Sequence, residues 1–281
     1  TAFLNELVTL YNTKKLLKKI NPDLILSFTI KPNIYSAITS KSRLITNITG
    51  LGSSFLKNNI KTFFIKCLYR FSCRLADKVV FQNQDDRFYF INNHLCDNNK
   101  TILIRGSGID TNYYSSQIVN HSYNPFHELF PKKSKIILYV GRLIKDKGIL
   151  EYLNAANKFI SDSPNSNIVF GCIGDLDQEN PSSISQAELE SLLIAGKIEH
   201  INFVEDIRNY LKFSCFVCLP SYREGLSKAL LESMSMSKPI ITSDAPGCID
   251  LITKEINGYV VKIKSVGSLV KIFKKIENLS Q

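Results

Sequence analysis

No stretch of this chain approaches eighteen consecutive apolar residues, the length a membrane-crossing helix requires. No secretory signal is visible either. The seven cysteines are odd in number and scattered, so no disulfide framework is encoded. Cys215 and Cys218 form a C-x-x-C, but inside an apolar run and not at a helix start, so they read as core thiols in a reducing cytoplasm. Histidine and carboxylate clusters are equally scarce. Asp175-x-Asp177 invites a metal reading, yet no further carboxylate or His completes a hard-cation site, and no metal is expected.

What remains is an ordinary globular composition, 44% apolar and 21% charged over 281 residues, enough for two domains. The net charge of +10 is uneven: residues 1–130 carry 16 Lys/Arg against 8 Asp/Glu, residues 131–281 carry 19 against 17. A basic first half suits nucleic acid, anionic lipid or a phosphate-bearing acceptor. Its aromatics form no stacking motif of nucleic-acid binders, which sets that class aside. The chain opens at Thr1 in a helical pattern and stops at Gln281 beside another, and reads as truncated at both ends.

Strand and helix patterns alternate along the chain, which argues for parallel βαβ units. In the first half, Asp23–Phe28 reads as a short buried strand, followed by Thr29-Ile30-Lys31-Pro32-Asn33-Ile34-Tyr35 as a loop entering a helix. Arg43–Ile48 is the next strand, followed by Thr49-Gly50-Leu51-Gly52-Ser53. Between Phe55 and Arg74 the basic residues Lys57, Lys61, Lys66, Arg70 and Arg74 interleave with Ile60, Phe63, Phe64, Leu68 and Phe71. That pattern fits a membrane-surface helix or a core-packed helix with a solvated basic face. Lys78–Asn83 is another strand, with Gln84-Asp85-Asp86 capping a helix, and the linker is placed between His121 and Pro131.

The second half restarts with a strand over Lys135–Val140, then Gly141-Arg142-Leu143-Ile144-Lys145-Asp146-Lys147-Gly148 and a helix. Gly141 lets the backbone turn, while Arg142 and Lys147 bring two cations near a helix N-terminus. Such a loop can hold a diphosphate by charge-assisted bonds and neutralise it as it leaves. Asn167–Ile173 and His200–Val204 are further strands.

The most informative stretch is Leu219-Pro220-Ser221-Tyr222-Arg223-Glu224-Gly225-Leu226-Ser227-Lys228-Ala229-Leu230-Leu231-Glu232. An apolar strand over Cys215–Leu219 is stopped by Pro220, and a helical pattern begins near Leu226. Glu224 and Glu232 lie eight residues apart, roughly 12 Å along one helix axis. That span suits the two ends of a nucleotide-sugar, with one carboxylate on the hexose hydroxyls and the other on the ribose diol. The N–H groups between them, at Gly225, Leu226 and Ser227, offer a phosphate site.

Pro-Ser-x-x-Glu-Gly, Glu224-x7-Glu232, and Ser243-Asp244-Ala245-Pro246-Gly247-Cys248 resemble the retaining GT-B glycosyltransferases of the Glu-x7-Glu family, glycosyltransferase family 4-like. The similarity is to the bacterial branch that extends lipid-linked oligosaccharides, O-antigen and capsule, and it runs over nearly the whole chain. Gly-Arg-x5-Gly at Gly141–Gly148 resembles that family's phosphate loop, Asp175–Pro181 its Leu-Asp-x-Glu-Asn-Pro loop, and Gly106-Ser107-Gly108-Ile109-Asp110 the loop ending its first domain. The loops at 29–35 and 49–53 resemble that branch's first-domain loops, which makes Lys31, Asn33 and the 49–53 loop candidates for acceptor or cleft contacts.

The resemblance implies an α/β protein of two facing, doubly wound Rossmann-like domains. Residues 1–121 would form the acceptor side and 122–281 the nucleotide-sugar side. It implies transfer of a hexosyl or N-acetylhexosaminyl group from a UDP-sugar to a polyprenyl-diphosphate-linked saccharide, without cofactor or metal, at the anionic inner face of the cytoplasmic membrane. Arg142 and Lys147 would stabilise the leaving diphosphate, Glu224 would hold the donor sugar and Glu232 the ribose. The chain departs from the family in three places: Leu26 and Phe28 replace a His-x-His, the turn after His200–Val204 is short, and Ser227 stands for a usual Pro. No catalytic His carries over. The alternative is an inactive transferase-like fragment or scaffold.

Overall fold

The computed structural model describes residues 2–52, 55, 60–118, 123–253 and 255–279, with backbone alone at Ala2, Phe3 and Lys61. The expected boundary at 121/122 lies outside the described residues, as do Ser53 and Lys57. By packing, the chain divides into residues 1–107 with Glu224–Leu226, and residues 108–223 with 227–281.

The first unit alternates helix and strand: α1 (Ala2–Ile20), β1 (Leu24–Phe28), α2 (Ile30–Thr39), β2 (Arg43–Ile48), α3 (Ile60–Leu75), β3 (Lys78–Phe81), α4 (Gln84–Asn92) and β4 (Thr101–Leu103). Its four strands are parallel and lie in chain order. Ile25, Leu44, Ile48, Tyr69, Val79, Phe81 and Phe90 form the core. The β1 strand, expected to be buried, alternates instead: Ile25 and Ser27 point inward while Leu24, Leu26 and Phe28 are exposed. A two-residue period covers only one face of a strand unless both sides carry helices.

Asn33 is fully buried, not a cleft residue. Its side chain accepts from Ser27 Oγ at 2.7 Å and donates to the Asn47 carbonyl at 2.9 Å, joining the ends of β1 and β2. Lys31 is exposed and pairs with Glu6 at 2.6 Å. Asn83, not the following Gln-Asp-Asp, caps α4: its side-chain oxygen accepts from the Asp86 N–H at 2.7 Å, closing an orphan donor of the first turn.

The second unit contains β5 (Lys135–Val140), α5 (Ile149–Asp162), β6 (Ile168–Ile173), α6 (Gln186–Glu190), β7 (Ile198–Ile201), α7 (Arg208–Phe213), β8 (Phe216–Leu219), α8 (Lys228–Ser235), β9 (Ile240–Ser243), β10 (Gly258–Val261) and α9 (Val266–Asn278). All its strands run parallel in the order β10-β9-β8-β5-β6-β7. Every residue of β6 is buried, as a central parallel strand demands. Against this sheet α5 and α9 pack side by side through Phe159, Phe170 and Phe273, with Phe170 and Phe273 centred 5.0 Å apart. Each such buried ring contributes about 1.5–3 kcal/mol. Tyr152, wholly buried, satisfies its hydroxyl on the carbonyls of Ile137 and Gly171 at 2.8 and 2.9 Å.

Two boundaries differ from expectation. The strand expected over His200–Val204 ends at Ile201, because the Phe203 N–H turns to donate to Asp175 Oδ1 at 2.8 Å and leaves the ladder. The helix expected near Leu226 starts at Lys228. Gly225 disfavours helix, and Ser227 takes the extended conformation of an N-cap. Glu224 and Glu232 therefore do not share one helix axis, and the 12 Å span argued from helical rise does not hold. Cys218 is buried in β8, whereas Cys215, expected in the core, is exposed.

Candidate functional site

The strand order of the second unit reverses between β5 and β8. The chain runs outward from β5 through β6 and β7, then returns to the other side of β5. Helices after neighbouring strands then lie on opposite faces, and a crevice opens at the carboxyl ends of those strands. Here that crevice is a pocket of about 630 Å³, lined by the loops after β5, β6 and β7, by Tyr114 and by the start of α8.

Close backbone contact builds its floor. Gly174 has φ +145°, and a Cβ there would sit 2.1 Å from the Gly141 carbonyl oxygen, so only glycine lets the two loops meet. The Gly141 N–H donates to Ile173 O at 3.0 Å and the Leu143 N–H to Asp175 O at 3.0 Å. Asp175 thereby ties three loops together, since its carboxylate accepts from Phe203 N.

Gly141, Arg142 and Glu232, candidate site residues by sequence, line this one pocket together. Arg142 is exposed and its Nη1 lies 2.6 Å from Asp177 Oδ2. Glu232 is largely buried, with Lys228 Nζ 3.7 Å from its Oε1. The Tyr114 hydroxyl donates to the same carboxylate. Burial lifts the Glu232 carboxyl above the usual range, while the Tyr114 hydrogen bond and the Lys228 charge act in the opposite direction. Burial, with the Glu232 charge beside it, pushes the Tyr114 phenol up to about 12.

Lys147, Glu224, Gly225, Leu226 and Ser227 do not line this pocket. Lys147 is half-buried in a 3₁₀ turn, Lys145–Lys147, closed by Gly148. Its neighbour Asp146 accepts from Ser182 Oγ at 2.8 Å, and the Asp146 carbonyl accepts from the Tyr222 N–H at 2.8 Å. Ser227 is the residue before α8, and Glu224–Leu226 fall with the first unit.

Three lining residues escaped the sequence reading in these roles: Tyr114, Asp177 as a partner of Arg142, and Phe203. Tyr114 is held by a turn in which Asp110 Oδ1 accepts from the N–H groups of Asn112 and Tyr113 at 2.9 and 3.0 Å. Arg208 lies 3.8 Å from the Tyr113 ring centre and is itself gripped by Asp206. The Asp110 turn is a local signal; the partnership of Tyr114 with Glu232 is not. The lining holds two cations, Arg142 and Lys228, four carboxylates, Asp175, Asp177, Glu205 and Glu232, and the large exposed ring of Phe203. The carboxylates suit hydroxyl donors such as a vicinal diol, the ring suits a flat partner, and the cations suit an anionic group.

Residues 122–281 match the family described as "Glycosyl transferases group 1", and residues 2–83 match "Glycosyl transferase 4-like". The N,N'-diacetylbacillosaminyl-diphospho-undecaprenol alpha-1,3-N-acetylgalactosaminyltransferase of Campylobacter jejuni is 30% identical over 284 residues, covering 95% of this chain and 72% of that protein. The capsular polysaccharide biosynthesis glycosyltransferase CapM of Staphylococcus aureus is 26% identical, covering 99% and 72%. The crystal structure of Anabaena Alr3699/HepE in complex with UDP and glucose superposes with a TM-score of 0.77 at 19% identity, covering 95% of this chain and 72% of that one. At that identity the likeness shows the GT-B fold.

Proposed function

The chain belongs to the group 1 glycosyl transferases, and on that premise we propose that it transfers a hexosyl or N-acetylhexosaminyl group from a UDP-sugar to a lipid-diphosphate-linked saccharide. The observation that carries this reading is the convergence of Arg142, Glu232 and Lys228 on one pocket at the strand-order reversal. Glu232 accepts from the ribose diol, and Phe203 offers a face to the base. Arg142, with Lys147 from the same loop, stabilises the diphosphate as negative charge develops on it. Glu224 holds the donor-sugar hydroxyls. The Campylobacter relative acts, by its name, on a diphospho-undecaprenol saccharide, and the Anabaena structure holds UDP; both support the lipid-linked acceptor and the donor.

Anomeric configuration is retained in this reading. The bond from the anomeric carbon to the diphosphate oxygen breaks, and the acceptor oxygen bonds to the same face. The acceptor proton passes to the leaving phosphate, which needs no protein nucleophile. Fixed cations supply the positive charge that a metal would otherwise bring. The work is done on the cytoplasmic face of a membrane, in the synthesis of cell-surface polysaccharide. Among the described residues no helix is long and apolar enough to cross a membrane. Release of UDP on adding a UDP-sugar and a lipid-diphosphate saccharide tests the reaction. The Glu224→Gln variant is expected to bind UDP normally yet turn over at least about a hundredfold more slowly. Wild-type turnover in that variant would remove Glu224 from the mechanism.

A further inference from the structure

A helix N-cap needs one acceptor oxygen, which serine, threonine or aspartate supplies as well as asparagine does. Asn83 brings more than that. Its Oδ1 takes the Asp86 N–H at 2.7 Å, and its side-chain nitrogen still has two N–H groups to place in a residue only 2% exposed. One acceptor is the Asp86 carboxylate at 3.1 Å. The others are the Gly225 carbonyl at 2.7 Å and the Glu224 carbonyl at 3.2 Å. The cap of α4 therefore also grips the backbone of two candidate site residues from far along the chain.

Glu224–Leu226 pack as part of the first unit, and the fit around them is backbone on backbone. Strands β2 and β3 are parallel neighbours with Ile48 opposite Phe81, so Thr49-Gly50 and Gln82-Asn83 leave the sheet side by side. A Cβ on Gly225 would collide with the Thr49 carbonyl and lie 2.6 Å from Gln82 Oε1. One on Gly50, at φ +125°, would lie 2.8 Å from the Gly225 nitrogen. Only glycine at both positions lets the two backbones approach this closely. Asn83 closes the cradle from the β3 side. Gly225 is itself buried, so a donor lost there is not replaced by water.

We propose that Asn83 is a positioning residue for Glu224: its amide nitrogen holds the Glu224 and Gly225 carbonyls and so fixes the backbone that carries the Glu224 carboxylate. The inference rests on the reading above in which Glu224 holds the donor-sugar hydroxyls, and it adds the residue that aims it. The cap itself does not require the amide nitrogen, which is what separates the two roles of Asn83. A displacement of about 1 Å at a group that orients substrate costs on the order of a hundredfold in rate.

The test compares Asn83→Ser, Glu224→Gln and the double variant in the full chain. Serine keeps the cap oxygen but is too short to reach either carbonyl, and Asn83→Thr takes its place should the serine protein not fold. Turnover is read as UDP release with a lipid-diphosphate saccharide and whichever of a panel of UDP-hexoses and UDP-N-acetylhexosamines the unaltered chain uses fastest. Calorimetry reads the binding of UDP alone. Asn83→Ser is expected to melt within about 2 °C of the unaltered chain. It should bind UDP within about twofold and lose about tenfold to a hundredfold in kcat. The double variant should be no more than about threefold slower than Glu224→Gln, because the clamp acts through that one carboxylate. Unchanged kcat in Asn83→Ser beside a slow Glu224→Gln overturns the positioning role and leaves Glu224 in place. Losses that multiply in the double variant overturn it too, since Asn83 would then support the fold and not Glu224. Full turnover in Glu224→Gln, or none in the unaltered chain, sinks instead the reading on which the inference rests.

Discussion

Asp177 Oδ2 stands 2.6 Å from Arg142 Nη1, while Asp175, two residues before it, accepts from the Phe203 N–H at 2.8 Å. The Arg142 side chain is 59% exposed, and an ion pair this wet contributes little to stability. Its value is orientation. Asp177→Asn is therefore expected to change unfolding free energy by less than about 0.5 kcal/mol, while lowering kcat/KM for the donor roughly tenfold through misplacement of the guanidinium. Arg142→Ala should lower it by about 10²–10³. Denaturant titration and steady-state kinetics separate the two effects; an Asp177→Asn enzyme with unaltered kinetics would show that the pair does not position Arg142.

The Glu232 carboxyl gives opposite pH signs for stability and binding. Burial raises it in the folded chain, with Tyr114 and Lys228 opposing that rise. The protonated form is thus favoured by folding. The stability it provides is complete below the unfolded carboxyl value, about 4.3, and is lost as pH climbs through the raised folded value. Nucleotide binding needs the carboxylate, so affinity for UDP should grow across the same window. Glu232→Gln should cost about 1–3 kcal/mol of UDP affinity at neutral pH and flatten both profiles. Tyr114→Phe removes a hydrogen bond that holds the carboxyl down and should move both profiles to higher pH. Calorimetry and thermal melts across the acid range read these shifts directly.

The β2 and β5 strands were legible to the residue, because Arg43–Ile48 carries Leu44, Ile45 and Ile48 just before Thr49-Gly50, and Lys135–Val140 is an apolar run after Lys135 that stops at Gly141. The start of α8 was not: Leu226 and Leu230 have helical spacing, but Gly225 and the extended Ser227 hold the chain out of helix until Lys228. Local pattern also misplaced Asn33, which resembles loop chemistry and is a buried clasp between strands. Arg142 and Glu232, which short motifs single out, line the pocket. Tyr114 is singled out by none, since its place beside Glu232 follows from how the 108–118 segment lies on the second unit, a long-range fact that no spacing encodes.

Transfer is expected to survive chelation. Arg142, Lys147 and Lys228 provide fixed positive charge in and beside the loop after β5, and Asp175 and Asp177 already accept from Phe203 N and Arg142. Excess EDTA should leave initial rates within about twofold. A full loss restored by magnesium or manganese would return these two aspartates to consideration as ligands.

The loop that carries Arg142 depends on one glycine. Gly148 sits at φ +73°, in the left-handed region, and a Cβ there would lie 2.2 Å from the Pro220 carbonyl oxygen. Both terms act against any side chain: αL backbone costs roughly 1 kcal/mol for a residue with Cβ, and a backbone carbonyl cannot swing aside as a side chain can. Gly148→Ala should therefore destabilise the chain by about 2–4 kcal/mol and push apart the loops after β5 and β8. By contrast Gly267, in the first turn of α9, has open space around its would-be Cβ. Gly267→Ala should stabilise by up to about 1 kcal/mol through helix propensity alone. Measured side by side in urea, the two alanines carry opposite signs if the Gly148 contact fixes the loop. A neutral Gly148→Ala variant would mean that the loop after β8 yields and that the Gly148 contact does not fix the loop after β5.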